Sequence, residues 1–214
     1  MAQSGANVGG AAPALTTYYA DLDRSETNSV KTRSVGVLHV ETGLTNVTKQ
    51  RGKAMFNVGH VKANTLHLYP EEAYCLAHRG VLDIFTASTS ATALSLREIS
   101  DLLHVHVSVE CRQVYCFLKE RKFIPRRHRD GHNGVDIPRV SSATQLFIAY
   151  DVYAPGAKKS DQPLYCAVVF RMQDPMPSTD SLSVLCKGTD MPVKLFICDG
   201  EGSVLSMEVK DGMA

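Results

Sequence analysis

The sequence has no tryptophan, no strong excess of either charge and no long apolar run. Because no stretch approaches the roughly 18 to 20 consecutive apolar residues of a bilayer span, we expect no transmembrane helix. The first twenty residues lack arginine, a basic segment and an apolar segment, which argues against a secretory signal or a mitochondrial transit peptide. A net charge of +1 excludes a generally basic nucleic-acid coat. We therefore expect a soluble intracellular protein, with 214 residues in one large or two small domains.

Histidine is absent from the C-terminal third of the chain, since none follows His132. This limits the chemistry of that part, because histidine is the usual general acid or base near neutral pH. Charge is also uneven: residues 144–214 carry six basic and nine acidic side chains, which leaves the excess of positive charge before them. Much of that excess lies in six residues: Lys119, Arg121, Lys122, Arg126, Arg127 and Arg129. This basic cluster could contact RNA phosphates or could be only a solvated face.

The six cysteines include no C-x-x-C pair, and most lie in apolar runs. We interpret them as reduced, buried thiols. His104 and His106 are two residues apart, but together with His128 and His132 they do not make an orderly tetrahedral set of ligands. The sequence therefore predicts no metal site and no cofactor.

The N-terminal part is predicted to begin with a disordered tail, residues 1–33, whose small and polar residues leave little to bury. Short strands are predicted at 36–41 and 54–61, with a polar stretch at 42–53 between them. A helix should begin at Pro70, which suits a first helical turn, and end near His78 before Gly80.

A short strand over 81–85 and a loop over 87–93 follow that helix. Ser95 and Glu98 fit the capping box of a second helix. A third helix over 107–121 then leads into an extended segment at 123–125. This order of elements is typical of a winged-helix-like unit.

Two turn signals, at 130–131 and 133–134, precede a predicted domain boundary at about residue 140. Beyond it the sequence predicts strands at 144–153, 164–172, 193–198 and 203–209, and a helix at 178–187. The predicted fold is therefore α/β (α+β), with a helical, winged-helix-like module over 34–140 and a small α/β module over 141–214.

Several segments in this order resemble one family. The run Leu68–Ala73, with Leu76, Gly80 and Phe85 behind it, is similar to the N-terminal signature of the non-catalytic subunit numbered 54 of the eukaryotic tRNA-splicing endonuclease. Further similar segments follow: 113–119, 124–127, 150–153, 162–165 and 190–193. The resemblance covers residues from about 35 to 212, with only a short segment in place of the long polar insertion common between the two halves. It implies an endonuclease-like α/β module at the C-terminus.

In the catalytic subunits of this family, a Tyr, a His and a Lys cut RNA without a metal. The resemblance places the Tyr position at Tyr153, the His position at Cys166 and the Lys position at Val193. Lys194 should not substitute, because adjacent strand residues face opposite sides of a sheet. With no histidine in the module, we expect the general acid to be missing. The alternative interpretations are structural: Tyr153 would be a half-buried packing residue, and Cys166 would be an unreactive core residue.

The resemblance also implies that an acidic loop inserts into a basic cleft of a partner subunit, and that the last strand extends the partner's sheet. A Gly-rich turn that is acidic only because turns are polar is the alternative. Seven residues form this predicted partner interface: Asp199, Gly200, Glu201, Gly202, Val204, Ser206 and Glu208.

The implied function is that of a non-catalytic subunit in a four-subunit tRNA-splicing endonuclease, which supports assembly and positions pre-tRNA. The expected partners are the other subunits and pre-tRNA, with no membrane, and the expected compartment is the nucleus or alternatively the cytoplasm. Two alternatives stay open: a degenerate catalytic RNA endonuclease subunit, and a stand-alone winged-helix nucleic-acid-binding protein with an unrelated C-terminal module.

Overall fold

The computed structural model describes residues 32–87, 92–129, 137–158 and 160–209. Most of the predicted tail (1–31), the two predicted turns at 130–134 and part of the predicted 87–93 loop lie outside these residues. The described residues form two five-stranded sheets and four helices. The strands are β1 Ser34–Leu38, β2 Thr45–Lys49, β3 His60–Lys62, β4 Thr65–Leu68, β5 Leu82–Thr86, β6 Ile124–Arg127, β7 Ile148–Tyr153, β8 Tyr165–Arg171, β9 Val193–Cys198 and β10 Val204–Val209. The helices are α1 Pro70–His78, α2 Leu96–Leu103, α3 Val109–Glu120 and α4 Thr179–Lys187.

The first sheet has the strand order β3-β4-β2-β1-β5, with β1 and β5 parallel and the other pairs antiparallel. Its core contains apolar side chains of β1, β4 and β5 together with α1 and α2. The strand predicted at 54–61 is wrong: residues 54–57 form a turn, and β3 begins only at His60. Asn57 and Gly59 have φ of 58° and 67°, a left-handed backbone that breaks an extended strand.

The predicted starts of the first two helices are confirmed. Helix α1 begins at Pro70, and α2 has the predicted capping box, in which Glu98 Oε2 accepts a hydrogen bond from Ser95 N at 2.8 Å. The α1 equivalent is buried: the Glu72 carboxylate accepts hydrogen bonds from the backbone N of Tyr69 and of Gly59, both at 2.8 Å. Burial, with the nearby Glu71 charge, raises the pKa of Glu72 to about 7.

This raised pKa predicts a pH dependence of stability. The ordinary pKa of a Glu carboxyl is 4.5, which is the value expected for Glu72 in the unfolded chain. Between pH 4.5 and about pH 7, the folded chain therefore keeps a proton on Glu72 that the unfolded chain has released. The Glu72 contribution is therefore fully present below pH 4.5 and is lost as the pH rises through about 7. We expect the urea midpoint of wild type to fall relative to that of Glu72→Gln as the pH rises over this interval, because glutamine has no proton to release. Parallel midpoint curves would contradict the assignment.

The second sheet has the order β10-β9-β8-β7-β6, in which only β8 and β9 are parallel. Helix α3 packs on one face, where Tyr150 and Phe196 are buried. Helix α4 lies on the other face through the partly buried Leu182 and Leu185. The mixed α and β class is thus confirmed, whereas the winged-helix-like order stays a prediction.

The predicted domain boundary at residue 140 also stays a prediction, but strand pairing crosses that position. Strands β6 and β7, on either side of it, are antiparallel neighbours, and α3 belongs to the core of the second sheet. Within the described residues, no helix has both the length and the apolar character needed to cross a membrane.

Candidate functional site

The Tyr, His and Lys positions implied by the resemblance lie near one another in the second sheet. Cys166 on β8 is directly opposite Val193 on β9 and opposite Asp151 on β7. Tyr153 lies two residues beyond Asp151 on the same strand, so its side chain faces the same side of the sheet. The three positions therefore share one face, the face that α4 partly covers.

The chemistry of this face differs from that of a Tyr, His and Lys set. Cys166 and Val193 are fully buried. Burial, and then the Asp151 charge, raises the pKa of the Cys166 thiol to about 12, so this thiol is neutral at physiological pH. Val193 supplies no charge for a phosphoryl group. The ring of Tyr153 is covered by the Arg126 guanidinium, whose carbon lies 4.3 Å from the ring centroid.

Lys194 faces the opposite side of the sheet from Val193. Its Nζ lies 4.5 Å from the centroid of the Tyr165 ring, which belongs to the core beneath α3. The same ammonium lies 3.7 Å from Glu208 Oε2 on β10. Lys194 therefore does not reach the face that holds Cys166 and Val193.

One imidazole nevertheless lies on that face, and the sequence analysis, which weighed this histidine only as a metal ligand, did not place it there. His128, just beyond the end of β6, places Nδ1 2.7 Å from Asp151 Oδ1. The Cys166 Sγ lies 3.7 Å from the same oxygen and donates to it. Residues 144–214 do lack histidine, but the antiparallel pairing of β6 with β7 brings in a histidine from before the boundary. His132, another of the histidines weighed there, lies outside the described residues.

The basic cluster does not form a single surface. Arg127 makes a two-bonded ion pair with Glu71 of α1, with N–O distances of 2.6 and 2.7 Å. The two side chains are only 9% and 1% exposed, so the Arg127 charge is neutralised inside the protein. Lys119 is half-buried, and burial lowers its pKa.

The remaining members of the basic cluster are more open. Arg121, Lys122 and Arg129 are exposed, and the Arg121 guanidinium stacks 3.5 Å from the centroid of the Phe117 ring. Arg126 is half-buried over Tyr153. Three exposed cations thus lie at the end of α3 and beyond β6.

The predicted acidic loop is the turn between β9 and β10. The Asp199 carboxylate accepts hydrogen bonds from the backbone N of Glu201 at 2.8 Å and of Ser203 at 3.0 Å. Hydrogen bonds from Ser203 and Glu201 lower the pKa of Asp199. Asp199 therefore holds the turn, while Glu201 is exposed at its tip. The following strand, β10, is an edge of the sheet among the described strands, with Leu205 and Met207 about half exposed.

Together these observations define a mixed α/β protein whose second sheet has a buried Cys and Val at the positions implied for catalysis, and an edge strand after an acidic turn. Residues 20–86, which include the first sheet and α1, match the family described as tRNA-splicing endonuclease subunit sen54 N-term. This match confirms the resemblance over that part of the chain and supports a tRNA-splicing endonuclease subunit. No curated protein matches the chain.

Proposed function

We propose that this chain is a non-catalytic subunit of a four-subunit tRNA-splicing endonuclease, which supports assembly of the complex and positions pre-tRNA. The family match supports membership of such a complex. The second sheet would then be an endonuclease-like module that has lost its cutting residues, and the first sheet with its helices would be the winged-helix-like part. The nucleus is the compartment that this role favours.

The observation that carries the non-catalytic role is the chemistry at Cys166 and Val193. A general acid must carry a proton that it can release near neutral pH, and the buried Cys166 thiol has a pKa of about 12. The neighbouring Val193 is fully buried and has no charge with which to stabilise a phosphoryl oxygen. The partner subunits would therefore supply the cutting residues.

The direct test compares the chain alone with the reconstituted complex on an intron-containing pre-tRNA. We expect no cleavage by the chain alone, and full cleavage by the complex whether it carries wild-type chain or Tyr153→Phe. Size-exclusion chromatography of the lone chain distinguishes the proposed function from the stand-alone alternative. The stand-alone alternative predicts a stable monomer or dimer that needs no other subunit.

The rival catalytic function has one observation in its favour, the His128–Asp151 pair on the same face as Tyr153. A carboxylate that accepts a hydrogen bond from imidazole is the arrangement that orients a general acid or base. In that case the chain would contribute cleavage of its own, and His128→Asn and Tyr153→Phe would each remove it. Retention of cleavage by the complex in both variants would count against this rival.

The acidic turn is proposed to enter a basic cleft of a partner subunit. Since Asp199 holds the turn through two backbone N–H groups, the informative change is Glu201→Lys, which reverses charge at the open tip. We expect at least about tenfold less co-purification with the other subunits at low salt, because charge complementarity steers such contacts. The exposed Glu41, in the turn between β1 and β2, gives the control: Glu41→Lys makes the same charge change and should leave co-purification intact. Equal behaviour of the two variants would contradict the proposal.

The exposed cations Arg121, Lys122 and Arg129 are proposed to contact pre-tRNA phosphates. Their joint replacement by Ala should weaken pre-tRNA binding by the assembled complex. It should also reduce the slope of log affinity against log salt concentration by about 2, because each lost phosphate contact lowers that slope by somewhat less than one unit. Arg127 is left unchanged because it holds Glu71. A matched triple variant of exposed cations on the first half, Lys49, Lys53 and Arg97, should keep the wild-type slope. An unchanged slope in the first variant would remove this contact.

A further inference from the structure

His128, Asp151 and Cys166 form a cluster that the proposed function does not use. They come from three different places: the segment after β6, strand β7 and strand β8. The imidazole nitrogen, one carboxylate oxygen and the thiol sulfur all lie within 4.8 Å of one another. Cys166 is fully buried, and the other two side chains are only 19% and 16% exposed.

We propose that these three side chains bind a divalent transition-metal ion, with zinc as the ion that the donor set fits best. One imidazole nitrogen, one thiolate and one carboxylate oxygen are all ordinary zinc ligands. Magnesium and calcium take oxygen ligands, so a site with a sulfur donor selects against them. This inference is independent of the role in tRNA splicing.

The spacing requires little rearrangement for such an ion. Zinc–ligand lengths of about 2.0 to 2.3 Å imply about 3.6 Å between a sulfur and an oxygen on one tetrahedral ion. The Cys166 Sγ and Asp151 Oδ1 atoms are 3.7 Å apart. The His128 Nδ1 and Asp151 Oδ1 atoms are 2.7 Å apart, which is a hydrogen-bond distance. That distance must open to about 3.4 Å around an ion, which a partly exposed imidazole just beyond the end of a strand can accommodate.

The charges also favour an ion at this place. In the metal-free cluster the Asp151 carboxylate accepts hydrogen bonds from the thiol and the imidazole, and burial keeps the thiol protonated. A zinc ion would displace the thiol proton, and the thiolate and carboxylate would then balance its two positive charges. The nearest cation by strand register, Arg126 opposite Asp151, has its guanidinium over the Tyr153 ring.

One member of the cluster, His128, borders a cavity. His128 lines a cavity of about 270 Å³ together with Arg139, Phe147, Ile148 and Leu185. An ion could enter through this cavity, and a fourth ligand could occupy it. Three protein ligands with one open position is a common arrangement for zinc.

The test uses the untagged full chain, stripped with a chelator and then titrated with cobalt chloride or zinc chloride. We expect one equivalent of zinc to be retained after gel filtration, and cobalt to give an intense near-ultraviolet band from thiolate-to-metal charge transfer. Cys166→Ser should remove that band, whereas Cys186→Ser, which changes a cysteine at the partly exposed end of α4, should keep it. Folding of each variant is checked by circular dichroism.

His128→Asn provides a second variant at a partly exposed position, in case Cys166→Ser fails to fold. We expect it to weaken zinc binding by at least about 100-fold, since a lost ligand costs more than a lost supporting contact. Failure of the wild-type chain to retain metal, or a cobalt band that persists in Cys166→Ser, would overturn the site. Either result would leave assembly and pre-tRNA binding as separate questions, because those assays do not depend on a metal.

Discussion

Replacement of Arg127 by Met is expected to destabilise the chain by about 3–5 kcal/mol, the range for breaking a buried ion pair by removal of one partner. The Glu71 side chain is 1% exposed and accepts both hydrogen bonds from the Arg127 guanidinium. That guanidinium also lies 4.1 Å from the centroid of the Tyr69 ring. Without Arg127, the Glu71 carboxylate would remain buried with no opposite charge. Urea unfolding followed by circular dichroism measures the loss.

Two controls separate this cost from a general effect of mutation. The Arg33–Asp83 pair has side chains 29% and 21% exposed, so Asp83→Asn should cost no more than about 1 kcal/mol. The double variant with Glu71→Leu and Arg127→Met removes both charges and should recover much of the single-variant loss. If Arg127→Met costs no more than Asp83→Asn, the pair does not hold α1 to β6.

Replacement of Ser206 by Pro is expected to abolish co-purification with the other endonuclease subunits while the chain stays folded. Asp199 N donates to Ser203 O across the turn, so the alternation of an antiparallel ladder points the Ser206 N–H away from β9. Proline removes that N–H, which a strand added by a partner would need as a donor. Proline is tolerated at such outward positions of an edge strand.

Ser206→Ala is the matched control, because it changes the side chain and keeps the N–H. We expect the alanine variant to co-purify like wild type and the proline variant to lose at least about tenfold in yield of complex. A proline variant with wild-type circular dichroism and wild-type co-purification would show that β10 does not pair with a partner strand.

Local signals were sufficient for several elements. Pro70 predicts the start of α1, and the apolar run at 193–198 coincides with β9. Local signals were not sufficient for the second strand. Strand β2 lies inside the stretch interpreted as polar, since Val47 is the one apolar residue among its five. Thr45 is buried there by its place in the sheet, and composition alone carries no signal of that.

The candidate site likewise has one feature that the sequence predicts and one that it does not. Alternation along β9 is enough to predict that Lys194 faces away from Val193, and the structure places it there. The cluster of His128 with Asp151 and Cys166 depends on which strands pair and in which register, over separations of 23 and 15 residues. No local pattern carries that information, since a single-residue slip would turn every side chain to the other face.

The placement of β6 beside β7 has a practical consequence for anyone who expresses the two halves as separate fragments. A stop codon near residue 140 would leave β6 without its neighbour and α3 without the apolar floor that Tyr150 and Phe196 give it. A fragment beginning at 141 would leave β7 as an unpaired edge strand, and exposed edge strands promote aggregation. Cuts placed before α3, near residue 107, would keep the helix and all five strands of the second sheet in one polypeptide.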